Sequence, residues 1–188
     1  MRDSGAGVVG PQSRWYALSL RFRHEKKTHA ELLQRGIESF LPLIEEVHLW
    51  SDRKKKVMEP LFRGYLFVRT DLKDRISILQ TAGVVKFVSV GPRLSWIPDE
   101  QIARVRIVSG RPDQIKREPY LSSGERVKIV SGAFQGVEGI IIWLKGSTRV
   151  VVSLDSIAQS VSVEVSPRIL GKSCIRRKDS GVLSRVSQ

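Results

Sequence analysis

Cysteine is nearly missing: Cys174 stands alone in 188 residues. No internal disulfide can form, and a reducing compartment is expected. His24, His29 and His48 are scattered, so with one thiol there is no ligand set for zinc. Long apolar runs are also missing. The opening Met1 to Ser13 reads as a Gly/Ser tail, neither signal peptide nor membrane anchor, so the expected location is cytoplasmic, with no membrane partner. Nor is there a Gly-x-x-x-x-Gly-Lys-Ser/Thr phosphate loop, a Gly-x-Ser-x-Gly elbow or an evident carboxylate pair. Cys174 lies in a basic tail with nothing to position a base beside it. These gaps argue against an enzyme and against a cofactor. A binding protein is expected.

What is abundant is positive charge. The chain carries a formal +13, with 41% hydrophobic and 27% charged residues, the composition of a soluble globular protein with room for one or two small domains. The charge is uneven: +7 over residues 1–110, +1 over 111–122, +1 over 123–170 and +4 over 171–188. A polyanion partner is therefore expected for the first part. The second folded part, nearly neutral, should meet something else.

The first part is organised around Leu61 to Arg69, dense in aromatic and branched residues. Alternation puts Leu61, Tyr65 and Phe67 on one face and Phe62, Leu66 and Val68 on the other, so an interior strand is expected, with Gly64 at a bulge or close approach. Whether one face is covered by the chain itself or by a partner stays open at this point. Trp15–Leu20 reads as a first strand. The next segment reads as a helix stopped at Gly36, with Phe22, Ala30, Leu33 and Ile37 at helical spacing. Arg21, Arg23, Lys26 and Lys27 cluster at the start of that helix, the way phosphate contacts are presented, although a charged helix face is more often simply solvated.

Glu38–Leu43 is a short strand. Val47–Trp50 and Val57–Met58 then flank a hairpin with a basic tip at Ser51–Lys56. Asp71 is expected to cap a short helix with Leu72, Ile76 and Leu79 as its apolar stripe. Val84–Val90 is a strand. After a turn and Trp96–Ile97, Pro98 opens a third helix that buries Ile102, Val105 and Val108, with acids at its positive end.

Arg111–Ser123, with Pro112 and Pro119 among charges, reads as a linker. Beyond it four stretches, Arg126–Val130, Val137–Trp143, Thr148–Ser153 and Val161–Val165, are pure strand separated by Gly- or Ser-bearing turns. A small closed barrel is expected there. Phe134, in a loop between Gly132 and Gly136, is expected to be partly exposed. After Gly171 the basic tail should be disordered. The expected division is 1–13 tail, 14–110 first domain, 111–123 linker, 124–170 barrel and 171–188 tail.

A first domain opening with Trp15-Tyr16 and carrying Glu59-Pro-Leu-Phe62 and Tyr65-Leu-Phe-Val68 resembles the NusG family. Val127-Lys-Ile-Val-Ser-Gly-Ala-Phe-Gln-Gly-Val-Glu-Gly139 is similar to its KOW motif, and the likeness spans about residues 14–170. Pro60-Leu61-Phe62, Val84–Val88 and Ile97–Glu100 resemble the specialised RfaH/UpxY antiterminator branch. The resemblance implies an α+β chain: an NGN-like mixed α/β domain with an antiparallel sheet, then a small SH3-like KOW barrel. It implies a monomeric transcription elongation and antitermination factor that suppresses pausing and termination on specific operons. Its RNA polymerase-binding residues, on the β′ clamp helices, would be Phe62, Tyr65, Phe67, Val90, Trp96 and Ile102, with the polymerase β subunit as a further contact. Arg21, Arg23, Lys26 and Lys27 would meet the non-template DNA strand, and Phe134 would meet ribosomal protein S10 or Rho.

Arg63 departs from the family's proline. Asp74, Arg75 and Ile76 stand where RfaH has the polar triplet of its second contact. The Val- and Ile-rich KOW segment favours a permanent barrel over a helical hairpin. The competing readings are a housekeeping NusG-type factor acting with Rho and a KOW-containing RNA-binding translation protein.

Overall fold

The computed structural model describes residues 13–49, 54–90, 92–120, 124–144 and 147–172. The tails at 1–12 and 173–188, Cys174 with them, and the hairpin tip at 50–53 lie outside the described residues.

The chain runs β1 (Arg14–Leu20), α1 (Glu25–Gln34), β2 (Ser39–Phe40), β3 (Leu43–Leu49), β4 (Lys54–Pro60), β5 (Tyr65–Thr70), α2 (Arg75–Leu79), β6 (Val84–Phe87), β7 (Ser89–Val90), β8 (Arg93–Leu94), β9 (Trp96–Ile97) and α3 (Asp99–Ser109). There follow β10 (Ile115–Glu118), β11 (Arg126–Ile129), β12 (Glu138–Leu144), β13 (Ser147–Leu154), β14 (Gln159–Val165) and β15 (Leu170–Lys172).

An antiparallel sheet in the order β2-β5-β1-β6 forms the first region, with β9 also paired to β1. Alternation along β1 and β5 sorts two apolar layers. Trp15, Ala17 and Phe67 point to one layer, which also takes Ile97 and the α3 residues Ile102, Val105 and Val108. Tyr16, Leu18, Leu66 and Val68 point to the other, shared with Leu32 of α1 and Ile78 of α2. Interior position and double-sided burial match what the sequence suggests for this strand.

The strand is shorter than expected. Residues 61–64 form a turn before β5, and Gly64 takes a positive φ of 77° there, a conformation easily reached only without a Cβ. The turn breaks the alternation. Phe62 joins Leu61 and Phe67 in one layer, so its expected placement beside Leu66 is corrected.

Two helices are also rotated from expectation. In α1 the buried residues are Glu25, Thr28 and Leu32, while Phe22, Ala30 and Leu33 are exposed. In α2 Ile78 is buried and Ile76 exposed, because the helix begins after Asp74, and Asp71 instead accepts a turn hydrogen bond from Lys73 N–H. The third helix, α3, buries the three residues expected.

The second region is a six-stranded antiparallel sheet, β10-β14-β13-β12-β11-β15. The four strands read from sequence are its centre. The expected SH3-like barrel is not found: the sheet is open, and its outer strands β10 and β15 do not pair with each other. Ile115–Glu118, within the stretch read as a linker, takes the edge of β14, from Ile115 opposite Val163 to Glu118 opposite Ser160. Leu170–Lys172 takes the edge of β11. A sheet closes to bury its inner face on itself. Here Val127, Ile129, Val137, Val150 and Val163 belong to the same apolar cluster as Trp15, Phe67 and α3, so the burial is shared with the first region. Gly139 lets β12 approach β13, since a Cβ there would lie 2.3 Å from the Val151 carbonyl oxygen.

Candidate functional site

Two surfaces of the first region carry the residues of interest. The first is the apolar layer against α3. Phe62 and Phe67 are 1% and 0% exposed, ring edge to ring face at 5.9 Å, with Phe40 6.2 Å from Phe67. Ile102 is buried in the same cluster and half-buried Tyr65 packs against it. Trp96 is separate: 49% exposed on β9, with the Arg14 guanidinium 5.0 Å from its ring centroid. Val90 pairs through its backbone with Arg93, and its side chain lies outside the described residues. Of six candidate residues the fold thus gathers Phe62, Tyr65, Phe67 and Ile102 and leaves Trp96 apart.

The cover over this layer belongs to the chain. Arg104 on α3 faces Glu138 on β12 at 3.5 Å, and Lys128 on β11 shares that carboxylate at 3.6 Å. Arg104 and Gln101 line a small cleft with Arg126, Glu138 and Val151–Ser153. Arg117 on β10 reaches back to the turn before β5. Its Nε donates to the Leu61 carbonyl at 2.9 Å, Nη2 donates to the Pro60 carbonyl at 2.6 Å, and Nη1 meets the Glu46 carboxylate. Burial lowers the Arg117 guanidinium from its ordinary value, and an arginine stays charged nonetheless. Glu45 N–H donates to the Pro112 carbonyl at 3.0 Å. No local pattern marks Arg104, Arg117 or Glu138 in the sequence, because each gains meaning only from a partner far along the chain.

The second surface is the loop joining β1 to α1. Arg21, Arg23, Lys26 and Lys27 are all exposed there, as a polyanion site requires. Glu25 fixes the loop from below: its carboxylate is buried and accepts the Gly64 N–H at 2.8 Å. Thr28 Oγ1 donates to the Ala82 carbonyl at 2.7 Å. These two hydrogen bonds explain why α1 turns polar residues inward. Lys26 Nζ donates to the Met58 carbonyl at 2.6 Å, which ties the loop to the β3–β4 hairpin. His29 is bonded to Ser39 Oγ at 2.8 Å, and burial lowers its pKa.

Phe134 does not stand out from its loop. It is 5% exposed and belongs to the large cluster, with the backbone folded tightly around it: Gln135 N–H donates to Gly132 O, and Val137 N–H to Phe134 O. The expected exposure is corrected; the ring anchors the loop. Among the described residues, no group of His, Cys, Asp and Glu is placed to hold a metal ion, and no helix is long and apolar enough to cross a membrane.

Comparison with known proteins follows the same lines. Residues 13–106 match the family described as Transcription termination factor nusG. The Transcription termination/antitermination protein NusG of Borreliella burgdorferi is 30% identical over 172 residues, covering 80% of this chain and 94% of that protein. The protein of the same name from Thermus thermophilus is 29% identical over 163 residues, covering 74% and 89%. A solved structure described as domain interaction in Thermotoga maritima NusG aligns with a TM-score of 0.50 at 21% identity, over 85% of this chain and 97% of that one. At that identity the likeness speaks for the fold.

Proposed function

Since the chain belongs to the NusG family, with its general role in transcription elongation and antitermination, we propose that residues 14–110 dock on the β′ clamp helices of RNA polymerase. The docking face includes the apolar layer of Phe62, Tyr65, Phe67 and Ile102, and Val90 and Trp96 add to the contact. A helix pair lying in an apolar depression is a standard way to recognise such a face. Arg21, Arg23, Lys26 and Lys27 then meet the non-template DNA strand, and the loop anchored by Phe134 meets a second protein, ribosomal protein S10 or Rho. The factor acts without catalysis, on specific operons, as a paralogue of the RfaH/UpxY type.

One observation carries this reading. The apolar layer is continuous with the second region, and polar bridges such as Arg104–Glu138 lie along that junction. A cover held partly by ion pairs can be exchanged for a partner more readily than a seamless core. In the free chain the second region therefore occupies the docking face, and polymerase displaces it.

The relatives' names favour a second reading, a NusG-type factor acting across the genome in termination as well as antitermination. Mapping chain occupancy on transcribing polymerase separates the two. Enrichment confined to a few operons supports the specialised role, and even occupancy supports the general one.

A further inference from the structure

Phe22 lies outside the core. Its position suggests a helix core residue, yet it is 71% exposed and belongs to neither apolar cluster. Single exposed apolar side chains are ordinary. This one is held in a built setting. Arg23 adopts a positive φ of 62°, a strained conformation for a residue with a long side chain. Its guanidinium lies 5.2 Å from the Phe22 ring centroid. The Phe22 carbonyl is 3.0 Å from His24 Nδ1, which steadies the turn.

The ring also borders a cleft. Phe22, Arg23 and Lys26 line it from one side of the sequence, and His48, Val57, Pro60 and Arg63 from the other. Of the acids there, Glu25 is engaged by the Gly64 N–H, and Glu59 is the second. Lys26 is bound to a carbonyl and Arg63 to Glu46, whereas among the described residues Arg21, Arg23 and Lys27 are paired with no carboxylate. An exposed aromatic ring with the Arg23 guanidinium over it, beside further cations paired with no carboxylate, fits a ligand with a flat π-face and a phosphate backbone. In a duplex those faces are already stacked on one another, so the ligand is a single strand.

We propose that Phe22 is the stacking platform for one base of a single DNA strand whose phosphates follow Arg21, Arg23 and Lys27. This rests on the proposal that the basic loop faces the displaced strand, and it adds the base contact. Because every base has a π-face, the platform supplies affinity with little sequence preference.

The test uses the full chain, a labelled dT 12-mer and the same oligomer made entirely of abasic units, read by fluorescence anisotropy. Phe22→Ala should weaken dT binding about ten-fold. It should leave the salt dependence unchanged, and Phe22→Trp should restore binding. Wild type should bind the abasic strand about as weakly as Phe22→Ala binds dT. Replacing Arg21, Arg23 and Lys27 by Gln should instead flatten the salt slope, by about 0.7 for each phosphate no longer neutralised. Since Phe22 is exposed, its variants should melt like wild type. Equal dT binding by wild type and Phe22→Ala would overturn the stacking role and leave the DNA contact standing. Wild type that binds no dT strand would overturn both, and tighter binding of a U 12-mer RNA would overturn the assignment to DNA.

Discussion

Arg104 on α3 and Glu138 on β12 face each other at 3.5 Å, one from each folded region, and Lys128 joins them through the same carboxylate. Glu138 lies on β12, in the second sheet, whose first strand β10 begins at Ile115. The pair therefore reports on whether the two regions are together.

Arg104→Glu should loosen them. A partly exposed pair contributes up to about 1 kcal/mol, so losing it raises the open fraction roughly five-fold, and like-charge repulsion adds to that. Limited proteolysis within 111–114, between α3 and β10, measures the change. Glu138→Arg should act in the same direction and more strongly, since Lys128 loses its partner too. The double exchange Arg104→Glu with Glu138→Arg should return cleavage toward the wild-type rate. Failure of the double exchange to recover would mean that this pair does not hold the regions together.

Phe134 gives a second prediction. A ring 5% exposed in the shared cluster is a core residue. Phe134→Ala should cost about 3–5 kcal/mol in denaturant unfolding. A variant as stable as wild type would show that the ring packs elsewhere in solution.

How much is legible in the sequence depends on where burial is decided. β1, β5, α3 and β11 to β14 are legible because their apolar patterns are strong and the core simply accepts them. The phase of α1 is not. There Glu25 and Thr28 go inside to satisfy Gly64 N–H and the Ala82 carbonyl, while Leu33 stays out. Phe62 changes layers because a turn at Gly64 interrupts the period of two. β10 and β15 are short and carry charge or glycine, so only the free edges of β14 and β11 recruit them. Of the two surfaces, the basic loop is visible as a charge cluster. The joining of the Phe62 and Phe67 layer to the second region in one apolar cluster is not, because it depends on residues beyond 110.

His29 supplies a pH dependence. Burial lowers its folded-state pKa below the unfolded value of about 6.5. Above that pH the imidazole is neutral in both states and its contribution is complete. As pH falls through about 6.5 the unfolded chain takes up a proton that the folded chain resists, so stability is lost until the folded pKa is passed. His29→Gln should remove this component, and its stability should fall less steeply than wild type on acidification from pH 7. Parallel wild-type and variant curves, from denaturant titrations at each pH, would contradict it.

The apolar layer continuous with the second region is proposed as the polymerase-docking face. The most direct measurement is binding of the full chain, wild type and Arg104→Glu, to purified RNA polymerase, with an isolated β′ clamp-helix fragment as competitor. Both should bind, Arg104→Glu the more tightly, and the fragment should displace both. Binding that the fragment leaves untouched, or no binding even by Arg104→Glu, would contradict it.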